Sequence, residues 1–243
     1  MVLKTSFTLL AVATLALFSS NAPQAEAHSW VDCVDWKFKD AAAKKKQDWS
    51  EKGGSCKGYA RRFPLGKAFG SLDSDWPSRH YHQNLRKNTL PCSDKKAGLE
   101  KGADETRDDK DVTKAYGGKY GVMTVTSVGD ELCIRWPAKN HADPKSSSET
   151  TVDIYLTEKP NQKDPTKQSQ LTKNFRIAGL RYRNCVSGSN QDRRACGGCF
   201  KVPKRSNGVY LLQWRWRLNQ RKNSLDDEYY TSCADVKIVS NKK

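Results

Sequence analysis

Two stretches of the chain alternate strictly between apolar and polar positions. Thr151 to Thr157 (TVDIYLT) puts Val152, Ile154 and Leu156 on one side and Asp153 and Tyr155 on the other. Tyr210 to Leu218 (YLLQWRWRL) sets Tyr210, Leu212, Trp214, Trp216 and Leu218 against Leu211, Gln213, Arg215 and Arg217. Successive side chains on a strand point to opposite faces, so this period predicts two half-buried strands. Trp214 and Trp216 share a face with Leu212 and read as core, while Arg215 and Arg217 face outwards. Val122 to Trp136, Phe175 to Arg183 and Ala234 to Val239 also read as strands. Polar loops separate them, notably Glu158 to Lys173. The stretch from Val31 to Leu90 lacks either period, apart from an Ala- and Lys-rich helix expected over Lys37 to Trp49. Glu100 to Lys114 reads as a solvated charged loop. Short strands with turn signals and no alternating helices predict an all-β chain: an immunoglobulin or fibronectin III-like antiparallel β-sandwich with long loops and disulfides.

The first 27 residues follow another pattern. Lys4 precedes an apolar run of about ten residues, Leu9 to Phe18, too short to span a bilayer. Ala25-Glu26-Ala27 then matches the small-x-small cleavage pattern of a secretory signal. We therefore expect residues 1–27 to be a signal peptide and 28–243 a single secreted domain. The eight cysteines, an even number, fit disulfides in an oxidising compartment. Cys196-Gly197-Gly198-Cys199 has redox CxxC spacing but no βαβ context, so it too reads as structural.

Charge narrows the partners. The chain carries 43 basic and 27 acidic residues. Losing Lys4 and Glu26 with the leader leaves 42 and 26, still +16. Such an excess draws polyanions. Export disfavours nucleic acid, and no basic amphipathic helix suits a membrane surface. An acidic polysaccharide such as homogalacturonan fits best, although lysines also serve to keep a surface soluble.

Cleavage after Ala27 would make His28 the first residue. An N-terminal histidine chelates a metal through its α-amine and its imidazole, and a second imidazole would complete a planar set of three nitrogens that suits copper. The amine, with a pKa of about 7.7–8.0, releases its proton to a metal near neutrality. The second imidazole could come from His141, which follows Trp136-Pro137-Ala138-Lys139-Asn140, or from His80 or His82. Near the end of the chain, Asp227-Glu228-Tyr229-Tyr230-Thr231-Ser232-Cys233 offers a tyrosine for the axial side of a metal, and Glu228 for a hydrogen bond to a bound oxygen species. Adjacent residues on a strand face opposite ways, so one tyrosine at most approaches the metal.

The segments His28 to Trp36, Tyr59-Ala60-Arg61-Arg62-Phe63-Pro64 and Trp136 to His141 resemble the lytic polysaccharide monooxygenases, most closely auxiliary activity family 17. The resemblance runs over nearly all of the chain from His28. It implies a monomeric secreted copper enzyme that cleaves pectin homogalacturonan oxidatively, using an external electron donor and O2 or H2O2. It implies a copper brace of His28 and His141 with Tyr230 axial, from its Tyr-x-x-Cys spacing to Cys233. Relatives often carry Gln where this chain has Glu228, which leaves the role of that position open. The alternatives are the same chemistry on cellulose or chitin, a secreted protein that binds copper or an acidic glycan without turnover, and an exported effector that contacts a host protein.

Overall fold

The computed structural model describes residues 29–61, 82–83, 91–92, 124–138, 151–187, 194–218 and 228–239, with only the backbone of residues 82, 83, 218, 228 and 229. Strands dominate. In chain order they are β1 (Trp36–Phe38), β2 (Gly54–Cys56), β3 (His82–Gln83), β4 (Thr124–Ser127), β5 (Glu131–Pro137), β6 (Thr151–Leu156), β7 (Arg176–Arg181), β8 (Ala195–Lys201), β9 (Gly208–Leu218) and β10 (Glu228–Val239). One helix, α1 (Ala41–Lys46), lies between β1 and β2.

The large sheet runs β3-β10-β9-β6-β7 in antiparallel order, and β4 joins the far half of β10 in parallel. Against it lies the antiparallel pair β5-β8. The core fills the space between these layers. Leu132, Ile134 and Trp136 of β5 and Cys196 and Phe200 of β8 meet Val152, Ile154, Leu180, Leu212, Trp214, Trp216, Tyr230 and Ala234 of the large sheet. The predicted β-sandwich is thus present, and both tryptophans of β9 lie in its core, fully buried. Each buried aromatic removes about 150–250 Å² from water, roughly 4–6 kcal/mol at 25 cal/mol per Å².

The β5-β8 pair is covered on its other side as well. The β1-β2 hairpin and the loop after α1 bring Cys33, Trp36 and Trp49 onto Cys133 and Ala195. β5 therefore has six consecutive buried residues instead of an alternation. Gly197 and Gly198 belong to this double packing. A Cβ on Gly197 would strike the Trp49 ring, and one on Gly198 would press on Leu180 from the opposite layer. The Gly-Gly pair is what lets β8 pass between an indole and the core.

Several sequence expectations change. Lys37 and Phe38 lie in β1 rather than in a helix, and α1 is only six residues long. Its start is fixed by Asp40, whose side chain accepts from the Ala43 amide at 2.7 Å. Its end is fixed by Gln47 at φ 50°, with Lys44, Lys45 and Lys46 in the last turn complementing the helix dipole. The strand expected over Val122 to Trp136 is two strands, broken at Gly129, whose φ of +84° suits a residue without Cβ. The segment Glu158 to Lys173 is more than a polar loop, because Asp164 and Gln168 within it are buried. Glu100 to Lys114 lies outside the described residues.

All eight cysteines are paired: Cys33–Cys56, Cys92–Cys233, Cys133–Cys199 and Cys185–Cys196. The CxxC spacing is structural, as expected, with its two cysteines in different bridges. Among the described residues no helix is long and apolar enough to cross a membrane.

Candidate functional site

His28 and His141 lie outside the described residues, as do His80 and the side chains of His82 and Glu228. The backbone of His82 pairs opposite Tyr229, and that of Glu228 opposite Gln83 and Leu218. What can be followed closely is the surroundings of Ser29, Ala138 and Tyr230.

The first described residues are held along β5. Asp32 and Cys33 bridge to Arg135 through the backbone, with Arg135 N donating to Cys33 O at 2.8 Å and Asp32 N donating to Arg135 O at 3.1 Å. One consequence is that Ser29 runs beside the end of β5, where its hydroxyl donates to the Pro137 carbonyl at 3.2 Å. Ser29 is wholly buried. On the other side, the Val31 amide donates to Ser232 Oγ at 3.0 Å, which ties the same segment to β10 two residues after Tyr230.

Tyr182 closes the arrangement. It follows β7, is fully buried, and donates its hydroxyl to the Ala138 carbonyl at 2.9 Å. Burial pushes its phenol far above the usual range, against smaller opposing effects from a hydrogen bond with Ser29 and the charge of Arg183. Its ring stacks on Trp216 with centroids 3.9 Å apart and planes 3° apart, and Trp216 in turn packs on Tyr230 at 5.5 Å. Ser29, Pro137, Ala138, Tyr182, Trp216 and Tyr230 therefore form one continuous packed group. Tyr230 points into the core and is fully buried. Sequence reasoning picked out Tyr230 but missed Tyr182 and Ser29, since a tyrosine after a strand and a serine near a chain end carry no local signal.

The charge behind this group is also buried. Arg135 reaches Asp32 with Nη2 at 2.6 Å and Nε at 3.2 Å, donates from Nη1 to the Trp49 carbonyl at 3.2 Å, and lies 4.2 Å from the centroid of the Trp36 ring. Half-buried Tyr59 sits close by, its pKa raised by burial and then by the Asp32 carboxylate, with Arg135 opposing. A bidentate buried pair of this kind fixes the segment 32–36 against β5. Glu131 lies close to the sulfurs of Cys133 and Cys199, but these are bonded to each other and offer no thiolate to a metal.

A tyrosine whose pKa is raised on folding adds stability that is complete below its unfolded value of 10.0 and is lost as pH rises through the folded value. Tyr182→Phe is expected to remove the alkaline part of this dependence. Near neutral pH it should cost about 1–2 kcal/mol, because the buried Ala138 carbonyl loses its donor. Urea unfolding at pH 7 and at pH 11 checks both parts; an unchanged midpoint at pH 7 would mean that the hydroxyl holds nothing.

No family model matches the chain, and no curated protein does. Among solved structures it is similar to an AA10 lytic polysaccharide monooxygenase from Streptomyces lividans, at 17% identity over 58% of this chain and 70% of that one, with a TM-score of 0.36. It is similar to a cellulose-active polysaccharide monooxygenase from M. thermophila, at 12% identity over 87% and 78%, with a TM-score of 0.40. A third is the cellulose-active CelS2 in complex with copper, at 19% identity over 50% and 56%, with a TM-score of 0.34. Likeness at this level assigns neither family nor activity.

Proposed function

We propose that this chain is a secreted copper-dependent monooxygenase that cleaves polysaccharide oxidatively, with homogalacturonan as its substrate. One observation carries the reading. Ser29, bonded directly to His28, is hydrogen-bonded to Pro137, and Tyr182 holds the next residue, Ala138, three positions before His141. The two histidines would thus extend from adjoining backbone segments, joined by the contact between Ser29 and Pro137.

His28, through its amine and imidazole, and His141, through its imidazole, would hold the copper, with Tyr230 as a further candidate ligand. The donor set is chemically suited: nitrogen ligands in a plane favour copper, and a terminal amine gives up its proton near neutrality. When bound, the metal supplies one-electron redox chemistry towards O2 or H2O2, fed by an external donor. The chain's own task is to hold its ligands still. Ser29 and Val31 anchor the new terminus to β5 and β10, and Tyr182 anchors the segment that leads to His141. The buried stack of Tyr182, Trp216 and Tyr230 gives that anchorage a rigid floor.

Secretion after cleavage at Ala27 is part of the same proposal. It is supported by the pairing of all eight cysteines, which suits an oxidising compartment. The net charge of +16 supports an acidic glycan. The test is the secreted protein, loaded with copper, incubated with ascorbate and polygalacturonan. Oxidised oligogalacturonides by mass spectrometry are the expected product, from a protein whose sequenced terminus is His28. Copper retained without oxidised fragments on polygalacturonan, cellulose or chitin would instead indicate a binding protein.

A further inference from the structure

The outer face of the large sheet, away from the core, carries an unusual set of cations. The chain has 28 lysines and 15 arginines, yet β6, β7 and β9 together contain four arginines and no lysine. Register places them. Arg215 of β9, Asp153 of β6 and Gly179 of β7 form one row across the sheet, and Arg176 pairs opposite Tyr155. Arg181 pairs opposite Thr151, at the same end of β6 as Arg217, the residue that follows Trp216. Rows on one face repeat about every 6.6–6.8 Å along the strands, with strands about 4.8 Å apart. The result is a graded series of guanidinium groups over three strands.

Two of these groups are braced in position. Arg215 lies over the Tyr155 ring, its Cζ 3.9 Å from the centroid. Stacking occupies the flat face of a guanidinium and leaves its N–H edge free to point outwards. Arg176 donates to Asp153 at 2.6 Å and extends across Gly179, where a Cβ would collide with it. Arg181 is exposed, and neither it nor Arg215 has a carboxylate partner among the described residues.

We propose that this face, on the side of the sheet opposite Tyr230, is a binding surface for a carboxylate-bearing polysaccharide. The guanidinium fork matches a carboxylate with two parallel hydrogen bonds, which an ammonium cannot do. Asp153, paired with Arg176, offers its carboxylate oxygens as acceptors for sugar hydroxyls. Among the described side chains of β6, β7 and β9, the aromatic of this face, Tyr155, is buried beneath Arg215 and unavailable for base stacking. The only large hydrophobic side chain exposed among the described residues is Val125 of β4.

The test uses the full mature chain freed of metal by chelation, so that its outcome is independent of the copper reading. Binding to sodium polygalacturonate is measured by calorimetry for the wild type, for R181K/R215K and for K159A/K163A. The first variant keeps the charge and loses the forks; the second loses two charges elsewhere. R181K/R215K is expected to bind about tenfold more weakly, with K159A/K163A within about twofold of wild type. Fully methyl-esterified polygalacturonate should not bind. Unchanged affinity of R181K/R215K, or duplex DNA binding as tightly at the same salt, would overturn the proposal. Phenylglyoxal footprinting of the wild type needs no variant: polygalacturonate should shield Arg181 and Arg215 but not Arg205, and absence of that shielding would also overturn it.

Discussion

Replacing Arg61 with alanine is expected to destabilise the fold by about 3–5 kcal/mol, the cost of leaving buried charge without its partner. Arg61 is 1% exposed and lies between two carboxylates that are equally hidden. Its Nη2 donates to Asp164 at 2.9 Å and to Asp235 at 2.8 Å, and its Nη1 donates to Asp164 at 2.5 Å. The three residues come from distant parts of the chain: the segment after β2, the loop before β7, and β10. Removing the cation leaves two buried carboxylates without it. Arg61→Lys should recover only part of the loss, because a single ammonium cannot span both carboxylates with the same geometry. The midpoint of urea unfolding, followed by tryptophan fluorescence at constant slope, measures the effect. A loss below about 1 kcal/mol would show that the pairs behave like solvated surface bridges. Because the Arg61 amide also donates to the Cys233 carbonyl at 2.8 Å, the damage should extend along β10 towards Tyr230.

The second large effect concerns the terminus. One extra residue before His28 should weaken copper binding by at least about a hundredfold, since it turns the amine into an amide that no longer donates a lone pair. His141→Ala should weaken it by a comparable factor, leaving one chelating residue. Neither change touches the buried groups described here, so both proteins should keep the unfolding midpoint of the metal-free wild type. Copper titration monitored by fluorescence quenching, alongside unfolding in chelator, separates the two readouts. Equal copper affinity in the extended protein would remove the basis for the proposed site, and the same affinity after His141→Ala would direct attention to His80 or His82.

The parts of the fold that the sequence announced are those where one physical rule acts alone. β6 and β9 alternate plainly in sequence, and the tryptophans of β9 went where the period put them, although Val209, Leu211 and Gln213 on its other face are covered as well. β8 was hidden because Gly-Gly between cysteines carries no apolar–polar alternation, whereas its glycines answer to Trp49 and Leu180 on other elements. β5 lost its alternation by being covered on both sides. Arg61 and Arg135 are buried although arginines generally lie at the surface, and only the carboxylates that meet them in space explain it. At the candidate site, the histidines and Tyr230 were legible from chemistry and spacing. Ser29 and Tyr182 were not, because their roles come from hydrogen bonds to Pro137 and Ala138 across more than forty residues of chain.

The split pairing of Cys196 and Cys199 bears on how the molecule matures. On an extended strand, residues three apart are separated by about 10 Å, beyond the roughly 7 Å limit for a disulfide. Once β8 is laid down between β5 and the segment at Cys185, the nearby thiol is out of reach and only the cross-strand partners remain. Secondary structure thus acts as a proofreader of oxidation, and a molecule that joins the two near neighbours first must undo that bond before its second layer can assemble.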